Sequence, residues 1–387
     1  MTHTMSAAKL PMIVFDARLR RTLVAASLVM LAAGTASAQA TDAQAGAGVL
    51  FETYKFAAPT LVDLEKVSLV TVPVTASVAL SPKIEFGVNG AFASATRTRR
   101  GGQSTTISGL TDTDVHLGYR LSGGRVLLTA TGYVPTGKTQ LTGDQMELTG
   151  LIASDLLPFA ISNWGSGGGI GLSAALAAPV TNETTVGLSA GYVVGRAYEP
   201  LSTGKFAYRP GNQLLVRGSI DRLIGITART SLQVTYAHFN QDQTIGTNFY
   251  QTGDRLQAVG SVAFAAGPQR TGVVYLGFLQ RQVGKFTSVV DVTPAQHLLY
   301  AGAGVRQPMG RLTLVPSLDV RLLGSEDGVG QGRNISVGVG AEVPFESIEV
   351  VPMARARFGK LVIRTLQEST FTGFELGLSI RHRAIFR

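Results

Sequence analysis

The chain contains no cysteine and is poor in charged residues and histidine. The absence of cysteine excludes disulfide frameworks, thiolate zinc sites and cysteine nucleophiles. Charged residues make up 15% of the chain, well below the roughly 25% of an ordinary soluble domain. After residue 40, no uninterrupted apolar run approaches the ~18 residues of a membrane helix. A chain that is 45% hydrophobic must therefore cover its apolar surface in another way.

The first 40 residues have the order of a secretory signal peptide. A basic stretch ending at Arg21 precedes a short apolar run, 22–34, and small residues follow. The run is too short to cross a bilayer as a helix, which favours a cleaved signal over a retained anchor. We predict export by the Sec pathway and cleavage after Ala38 or Ala40. The mature chain, 41–387, then has a net charge of +6 instead of +9.

Apolar residues alternate with polar or small residues almost throughout the mature chain. In the segment 334–345, for example, Ile335 and Val337 share one parity, and Ser336 and Gly338 the other. This period is typical of a strand with one apolar face. The only modest helical candidate is 146–157. We predict strands near residues 48–58, 67–80, 83–96, 112–121, 125–134, 167–180, 184–196, 212–222, 226–239, 255–266, 270–283, 296–306, 311–323, 333–343, 347–358 and 373–386.

The connections between these strands alternate in length. Short turns such as 122–124 alternate with longer polar connections, which are 97–111, 135–166, 197–211, 240–254, 284–295, 324–332 and 359–372. Transmembrane barrels have short periplasmic turns and longer outer loops, and in lipid an all-β chain must close so that its backbone is paired. The sequence predicts an all-β fold: one transmembrane antiparallel β-barrel of about 16 strands, with 14 as the alternative, in the outer membrane.

Aromatic residues support this assignment. On the predicted strands they gather at both ends, as in the aromatic girdles of membrane barrels. The periplasmic set is Phe86, Tyr119, Phe264, Phe345 and Phe386, and the outer set is Phe92, Tyr192, Tyr236, Phe358 and Phe374. A soluble sandwich or propeller is disfavoured, because no blade repeat of ~40–50 residues is present.

Three short segments resemble a known family. They are Gly109-Leu110-Thr111-Asp112, Leu117-Gly118-Tyr119-Arg120-Leu121 and Tyr133-Val134-Pro135-Thr136-Gly137-Lys138. Together they are similar to the pattern of the outer-membrane transporters named "MetA-pathway of phenol degradation", with Thr111 where that family usually has a second glycine. The resemblance implies a β-barrel for uptake of small aromatic or apolar compounds, and it brings no catalytic residues.

A phosphate-binding pattern overlaps the last of these segments. Residues 132–139 satisfy G-x-x-x-x-G-K-T, but a P-loop needs a helix directly after the lysine. Gly143 interrupts the following residues, and no parallel α/β unit surrounds them. We interpret the match as accidental, with Thr136 and Gly137 turning the fifth strand into the connection 135–166.

The connection 135–166 is too apolar for a loop that lies free in water. It either folds into the lumen as a constriction or forms an apolar lip at the outer rim, since loops commonly carry function. Trp164, the only tryptophan, fits an interfacial anchor or a binding contact. The candidate constriction residues are Leu151, Leu156, Phe159 and Trp164.

Many charged residues have the inward parity of their strands. Charges inside a barrel need partners or water, so they either form arginine–carboxylate ladders or line a water-filled path. Arginine exceeds carboxylate along this wall, which would favour anions or electron-rich solutes in an open pore. The candidate solute-pathway residues are Arg217, Arg229, Arg281, Arg306, Arg321, Arg355, Arg357 and Arg381.

Partners follow from the compartment. We expect outer-membrane lipid and lipopolysaccharide, the barrel-insertion machinery and a small-molecule solute. The run Arg97–Arg100 suits lipopolysaccharide phosphates or simple solvation. Nucleic acid is not expected, because the basic residues are dispersed. The sequence does not indicate an oligomeric state.

An enzyme is not expected. Asp114 and His116 form the best candidate pair, although an ordinary wall pair is the preferred interpretation. His238 and His297 lie near the outer ends with no evident serine or aspartate partner. No cluster has metal-ligand spacing, and no cofactor is expected.

The function predicted is passive uptake of small solutes through an arginine-lined lumen, narrowed by the connection 135–166. The alternatives are a non-conducting structural or interaction barrel and, less favoured, an outer-membrane hydrolase.

Overall fold

The computed structural model describes residues 42–57, 63–204, 206–287, 292–364 and 367–385. The predicted signal peptide and Phe386 lie outside these residues. Within the described part of the chain, no helix is long and apolar enough to cross a membrane.

Sixteen antiparallel strands form one closed barrel, which confirms the predicted fold. Strand β1 pairs with the last strand, β16, from Asp42 opposite Ile385 to Phe56 opposite Phe371. The strands are β1 (Asp42–Phe56), β2 (Leu64–Ala79), β3 (Ile84–Arg99), β4 (Ser104–Leu110 and Thr113–Leu121), β5 (Val126–Val134), β6 (Gly169–Pro179), β7 (Thr184–Gly195), β8 (Gln213–Ile224), β9 (Ala228–Phe239), β10 (Arg255–Gly267), β11 (Arg270–Arg281), β12 (Gln296–Met309), β13 (Leu312–Ser325), β14 (Gly332–Phe345), β15 (Ile348–Arg364) and β16 (Gln367–Ile385). The two parts of β4 both pair with β3.

The elements that are not barrel strands belong to the connections between those strands. A 3₁₀ turn, Ser122–Gly124, joins β4 to β5, and one helix, α1 (Gly143–Ile152), lies between β5 and β6. Five short strands of the outer connections form a second sheet: Tyr208–Arg209, Gln241–Thr244, Thr247–Gln251, Gly284–Phe286 and Val292–Thr293.

The alternation of the sequence places apolar side chains on the outside of the barrel. In β14, outward-facing Val337 and Val339 are 50% and 48% exposed, whereas inward-facing Asn334 and Ser336 are buried. Aromatic residues on the outward face are also exposed at both ends of the strands, including Tyr119, Phe264, Phe345, Tyr192, Tyr236, Phe358 and Phe374. An apolar outer face between two aromatic girdles is the surface of a barrel in lipid. The protein is a barrel of the outer membrane.

Two predicted outer loops are strands instead. Strand β3 continues to Arg99 and β4 begins at Ser104, so 97–111 is a tight hairpin in which Gly101 and Gly102 have φ of +87° and +84°. Likewise, β15 and β16 fill most of 359–372. The prediction was wrong because the outward faces of these strand ends are mostly polar, whereas their apolar residues, including Ile107, Leu361 and Phe371, face inward and are buried. The pattern expected of a lipid-facing strand therefore stops before the backbone pairing does.

The added residues make the barrel uneven in height. Strands β14, β15, β16, β1, β2 and β3, here called the tall wall, have 14 to 19 residues each. Strands β5 to β9, here called the short wall, have 9 to 12 residues each. The two walls face different surroundings inside the lumen.

Candidate functional site in the barrel lumen

The connection 135–166, here called the plug, lies inside the lumen. Helix α1 begins in a capping box, in which Thr142 Oγ1 accepts a hydrogen bond from Gln145 N and Gln145 Oε1 accepts one from Thr142 N. This arrangement satisfies backbone groups at the start of the helix. The modest helical prediction for 146–157 is thus partly confirmed, with the helix beginning and ending earlier.

Apolar side chains of the plug are buried against the inner face of the tall wall and its neighbours. Leu148, Ile152 and Leu157 are at most 2% exposed and belong to one cluster with inward-facing residues that include Tyr54 and Phe371. Of the predicted constriction residues, Leu156 and Trp164 are almost fully buried in this cluster, whereas Leu151 and Phe159 pack partly buried against it. The alternative of an apolar lip at the outer rim is therefore wrong.

Polar contacts hold the second half of the plug from several sides of the lumen. Asp155 receives Arg281 of β11 in an ion pair at 2.7 Å, and its carbonyl accepts from Arg321 of β13 at 3.1 Å. Three further hydrogen bonds run from Asn334 Nδ2 to Leu156 O (2.9 Å), from Ala160 N to Glu52 Oε2 (2.8 Å) and from Trp164 Nε1 to Ala93 O (3.1 Å). Trp164 is thus an internal contact rather than an interfacial anchor.

Helix α1 is held by the arginines of the run 97–100. Asp144 lies 3.2 Å from Arg97 and 2.9 Å from Arg99, and Glu147 accepts hydrogen bonds from the same two side chains. The extended β3 directs both side chains inward, and Arg97, at 6% exposure, is not exposed as predicted, whereas Arg99 remains 31% exposed. The hydrogen bond from Arg97 lowers the pKa of Glu147 below its ordinary value.

Two of the three segments that carry the family resemblance meet where the plug leaves and rejoins the wall. Asp112 Oδ1 accepts from Gly137 N at 3.1 Å, and Asp112 Oδ2 accepts from the N and Oγ of Ser166 at 2.7 Å each. A Cβ on Gly137 would lie 1.9 Å from Trp164 O, so only glycine fits. We call Asp112, Gly137 and Ser166 the latch.

The residues that match the P-loop pattern, 132–139, include Gly137 of the latch. No helix begins directly after Lys138, since α1 starts at Gly143. The interpretation of an accidental match agrees with this geometry, because the loop lacks the helix N-terminus that a phosphate site requires.

Most of the candidate pathway arginines are paired with carboxylates. The ion pairs are Arg229 with Asp221 (3.0 Å), Arg281 with Asp155 (2.7 Å), Arg306 with Glu342, Arg321 with Asp319 (3.2 Å), Arg355 with Glu375 (3.1 Å), Arg357 with Glu52 (3.3 Å) and Glu375, and Arg381 with Glu349 (3.4 Å). Arg217 donates to Thr235 Oγ1 at 3.3 Å, and no carboxylate of the described residues pairs with it.

Exposure divides these arginines further. The side chain of Arg357 is 2% exposed and also contacts the Tyr54 hydroxyl, so it cannot reach a solute. The side chains of Arg229 and Arg381 are 64% exposed, and that of Arg306 is 56% exposed. A solute could therefore reach only part of the predicted set.

The short wall presents small polar residues to the lumen. Its inward-facing side chains include those of Thr129, Ser173, Ser189 and Ser219, and all four are exposed or half-buried. The plug therefore covers the outer half of the tall wall's inner face, but neither the periplasmic half of that face nor the inner face of the short wall.

The candidate catalytic groups stay apart. Asp114 and His116 lie two residues apart on β4, and the structure shows no hydrogen bond between these two described side chains. His238 does have an acidic partner, contrary to the prediction: its Nδ1 lies 2.9 Å from Asp254 Oδ1, and Tyr236 donates to the same carboxylate. In the described ranges, no three His, Cys, Asp or Glu residues could together hold a metal.

No protein-family model matches the chain, and no curated protein matches it. Solved outer-membrane structures are similar in overall form. Pseudomonas putida OprB has 10% identity, a TM-score of 0.49, and coverage of 89% of this chain and 94% of its own. An anion-selective porin from Comamonas acidovorans has 12% identity, a TM-score of 0.43, and coverage of 89% and 100%. Likenesses at this identity and score carry no conclusion about function.

Two elements of the site were missed from the sequence. Asp112 was noted only within a motif, and its role in the latch depends on contacts with residues more than 20 positions away. Asp155 was visible as an acidic residue within an apolar segment, which is a usable signal for a buried ion pair.

Proposed function

We propose that the protein is an outer-membrane channel for passive movement of small solutes between the plug and the short wall. The observation that carries this proposal is the one-sided seating of the plug. It buries inner-face residues of the tall wall such as Tyr54 and Val67, while Ser173 and Ser189 of the short wall remain exposed or half-buried. Small polar side chains are suited to a water-filled path.

Charge along this path supports a preference for anions. Arg217 has no carboxylate partner among the described residues, and the side chain of Arg229, although paired with Asp221, is 64% exposed. Positive side chains that line a pore favour anionic solutes. The arginine role in this proposal therefore rests mainly on Arg217, because burial removes Arg357 from the path.

Aromatic or apolar compounds are the proposed solute class. The resemblance of the latch segments to transporters of the phenol-degradation family supports it. So do Leu151 and Phe159, which are apolar plug residues that remain partly exposed. We assign no catalytic residue and no cofactor, and the proposed activity is transport rather than catalysis.

The test is conductance in planar bilayers together with solute flux into liposomes. We expect the wild-type protein to conduct, and we expect replacement of residues 140–163 by a short Gly-Ser linker to raise conductance severalfold. This replacement retains the latch. The matched control shortens the outer connection 326–331, which lies outside the lumen-filling plug, and should leave conductance unchanged.

The arginine role has its own variant pair. Arg217→Ala should reduce the anion preference, whereas Arg311→Ala, which removes the same charge from a periplasmic turn, should not. An anion preference that survives Arg217→Ala overturns the arginine role. A wild-type barrel with neither conductance nor flux overturns the channel and favours the non-conducting structural barrel.

A further inference from the structure

Two pairs of like-charged residues lie directly opposite each other on the outward face of the tall wall. Lys55 of β1 is in register with Lys66 of β2, and Arg333 of β14 is in register with Lys360 of β15. Residues directly opposite in an antiparallel pair have Cβ atoms about 4.5–5.5 Å apart, and like charges in such positions are destabilising. Both pairs would therefore be stabilised by an anion.

The two pairs belong to one continuous surface. On the intervening strand β16, Thr370 is in register with Lys360, and Thr372 is in register with Lys55. Five adjacent strands, β14, β15, β16, β1 and β2, thus carry basic and hydroxyl groups at similar height. We call Arg333, Lys360, Lys55 and Lys66 the basic arc.

The basic arc lies directly above the outer aromatic girdle. Phe358 precedes Lys360 by two residues on β15, and Phe374 follows Thr372 by two residues on β16. Both phenylalanines face outward and are exposed, and the ring of Phe374 lies 5.5 Å from that of Phe51. Two residues of a strand span about 7 Å, so the arc is at the height where lipid headgroups follow the apolar belt.

Carboxylates balance the arc only in part. Lys360 Nζ lies 2.8 Å from Glu368, and Glu65 helps to line a cavity of 470 Å³ together with Lys55 and Lys66. No carboxylate of the described residues lies within ion-pair distance of Lys55, Lys66 or Arg333. Four cations against two carboxylates leave an excess of positive charge. Thr372 and Phe374 also line the cavity.

We propose that the basic arc binds the phosphate groups of lipopolysaccharide in the outer leaflet. Phosphate oxygens accept hydrogen bonds from several ammonium or guanidinium groups at once, and such charge-assisted bonds are the strong ones. The sugar phosphates would bridge the like-charged pairs, while the acyl chains pack over the phenylalanines below. This site is on the outer surface and is independent of solute passage through the lumen.

The test is binding of a fluorescent, phosphorylated lipid A to the purified full-length barrel in neutral detergent micelles. The double variant Lys55→Gln/Lys66→Gln should bind about 25-fold more weakly, given about 1 kcal/mol for each basic residue near an anionic surface. The matched control, Lys83→Gln/Lys285→Gln, removes the same charge from a periplasmic turn and an outer connection, and should bind like the wild type.

Three results would overturn the proposal. One is equal binding by the double variant and the wild type. Another is equal binding of dephosphorylated lipid A, which would indicate an acyl-chain site only. The third is displacement of the probe by inorganic phosphate at probe-like concentration, which would indicate a free-phosphate site. Lys55→Arg/Lys66→Arg retains the charge and should bind like the wild type, and a heat-dependent gel shift checks that each variant is folded.

Discussion

The tall wall and the short wall belong to the same closed sheet, yet their inner faces have different surroundings. Glu52, Tyr54 and Phe56 of β1 are at most 3% exposed, because the plug covers them. On the short wall, by contrast, the side chain of Arg229 is 64% exposed. Closure of the barrel therefore does not determine whether its lumen is filled. The position of one connection, the plug, determines which part of the lumen is filled.

Buried and exposed ion pairs in the lumen therefore contribute differently to the stability of the barrel. Arg357 is buried with Glu52 and Glu375, and its burial costs desolvation that only close partners offset. Arg229 pairs with Asp221 in contact with solvent, where an ion pair contributes roughly 0–1 kcal/mol. Ion pairs are thus structural supports where the plug buries the tall wall and weak contacts where the lumen is open, as at Arg229 and at Arg381 near the periplasmic end of β16.

The largest expected effect comes from removing an arginine on each wall. Arg357→Met removes the arginine partner of buried Glu52 and one of the two arginine partners of buried Glu375, and it should lower the free energy of unfolding by about 3–5 kcal/mol. Arg229→Met should cost less than about 1 kcal/mol. Urea unfolding in lipid vesicles, followed by the fluorescence of Trp164, measures both values. Equal losses would show that the two walls do not differ.

A smaller effect is expected from the latch. Asp112→Ala leaves the N–H groups of Gly137 and Ser166 without their acceptor and should cost about 1–3 kcal/mol, at the level of a lost charge-assisted bond. We expect the loosened plug to increase current fluctuations in single-channel recordings. Asp221→Ala on the short wall is the matched control. Identical recordings from the two variants would contradict the assignment of the latch.

The smallest effect is a dependence of plug seating on acid pH. Arg97 lowers the pKa of Glu147 below its ordinary value of 4.5, so the carboxylate's contribution to seating is present above pH 4.5. That contribution is lost as the pH falls through the lowered pKa. Conductance should therefore rise modestly below pH 4.5. A Glu147→Gln variant should conduct more at neutral pH and lack this component, and an unchanged acid response in the variant would contradict the prediction.

Prediction from the sequence succeeded where the chain alternates and failed where it does not. The strand 333–343 was recognisable from one apolar parity, and the structure extends it only to 332–345. Residues 104–110 were missed because the outward face of this strand is mostly polar, whereas Ile107 faces inward and is buried. The apolar character of 135–166 indicated a special role, but its seating against the tall wall depends on contacts with β1, β3 and β15 that no local pattern records.

The sequence by itself determined the parity of each strand and, with it, a closed barrel with an apolar outer face, because parity is a local property of successive residues. Only the tertiary structure decided which arginines are neutralised, which wall the plug covers and where the basic arc lies. Those properties depend on register between distant segments. Arg357 and Glu52 are 305 residues apart in the chain, and only closure of the sheet brings their side chains together.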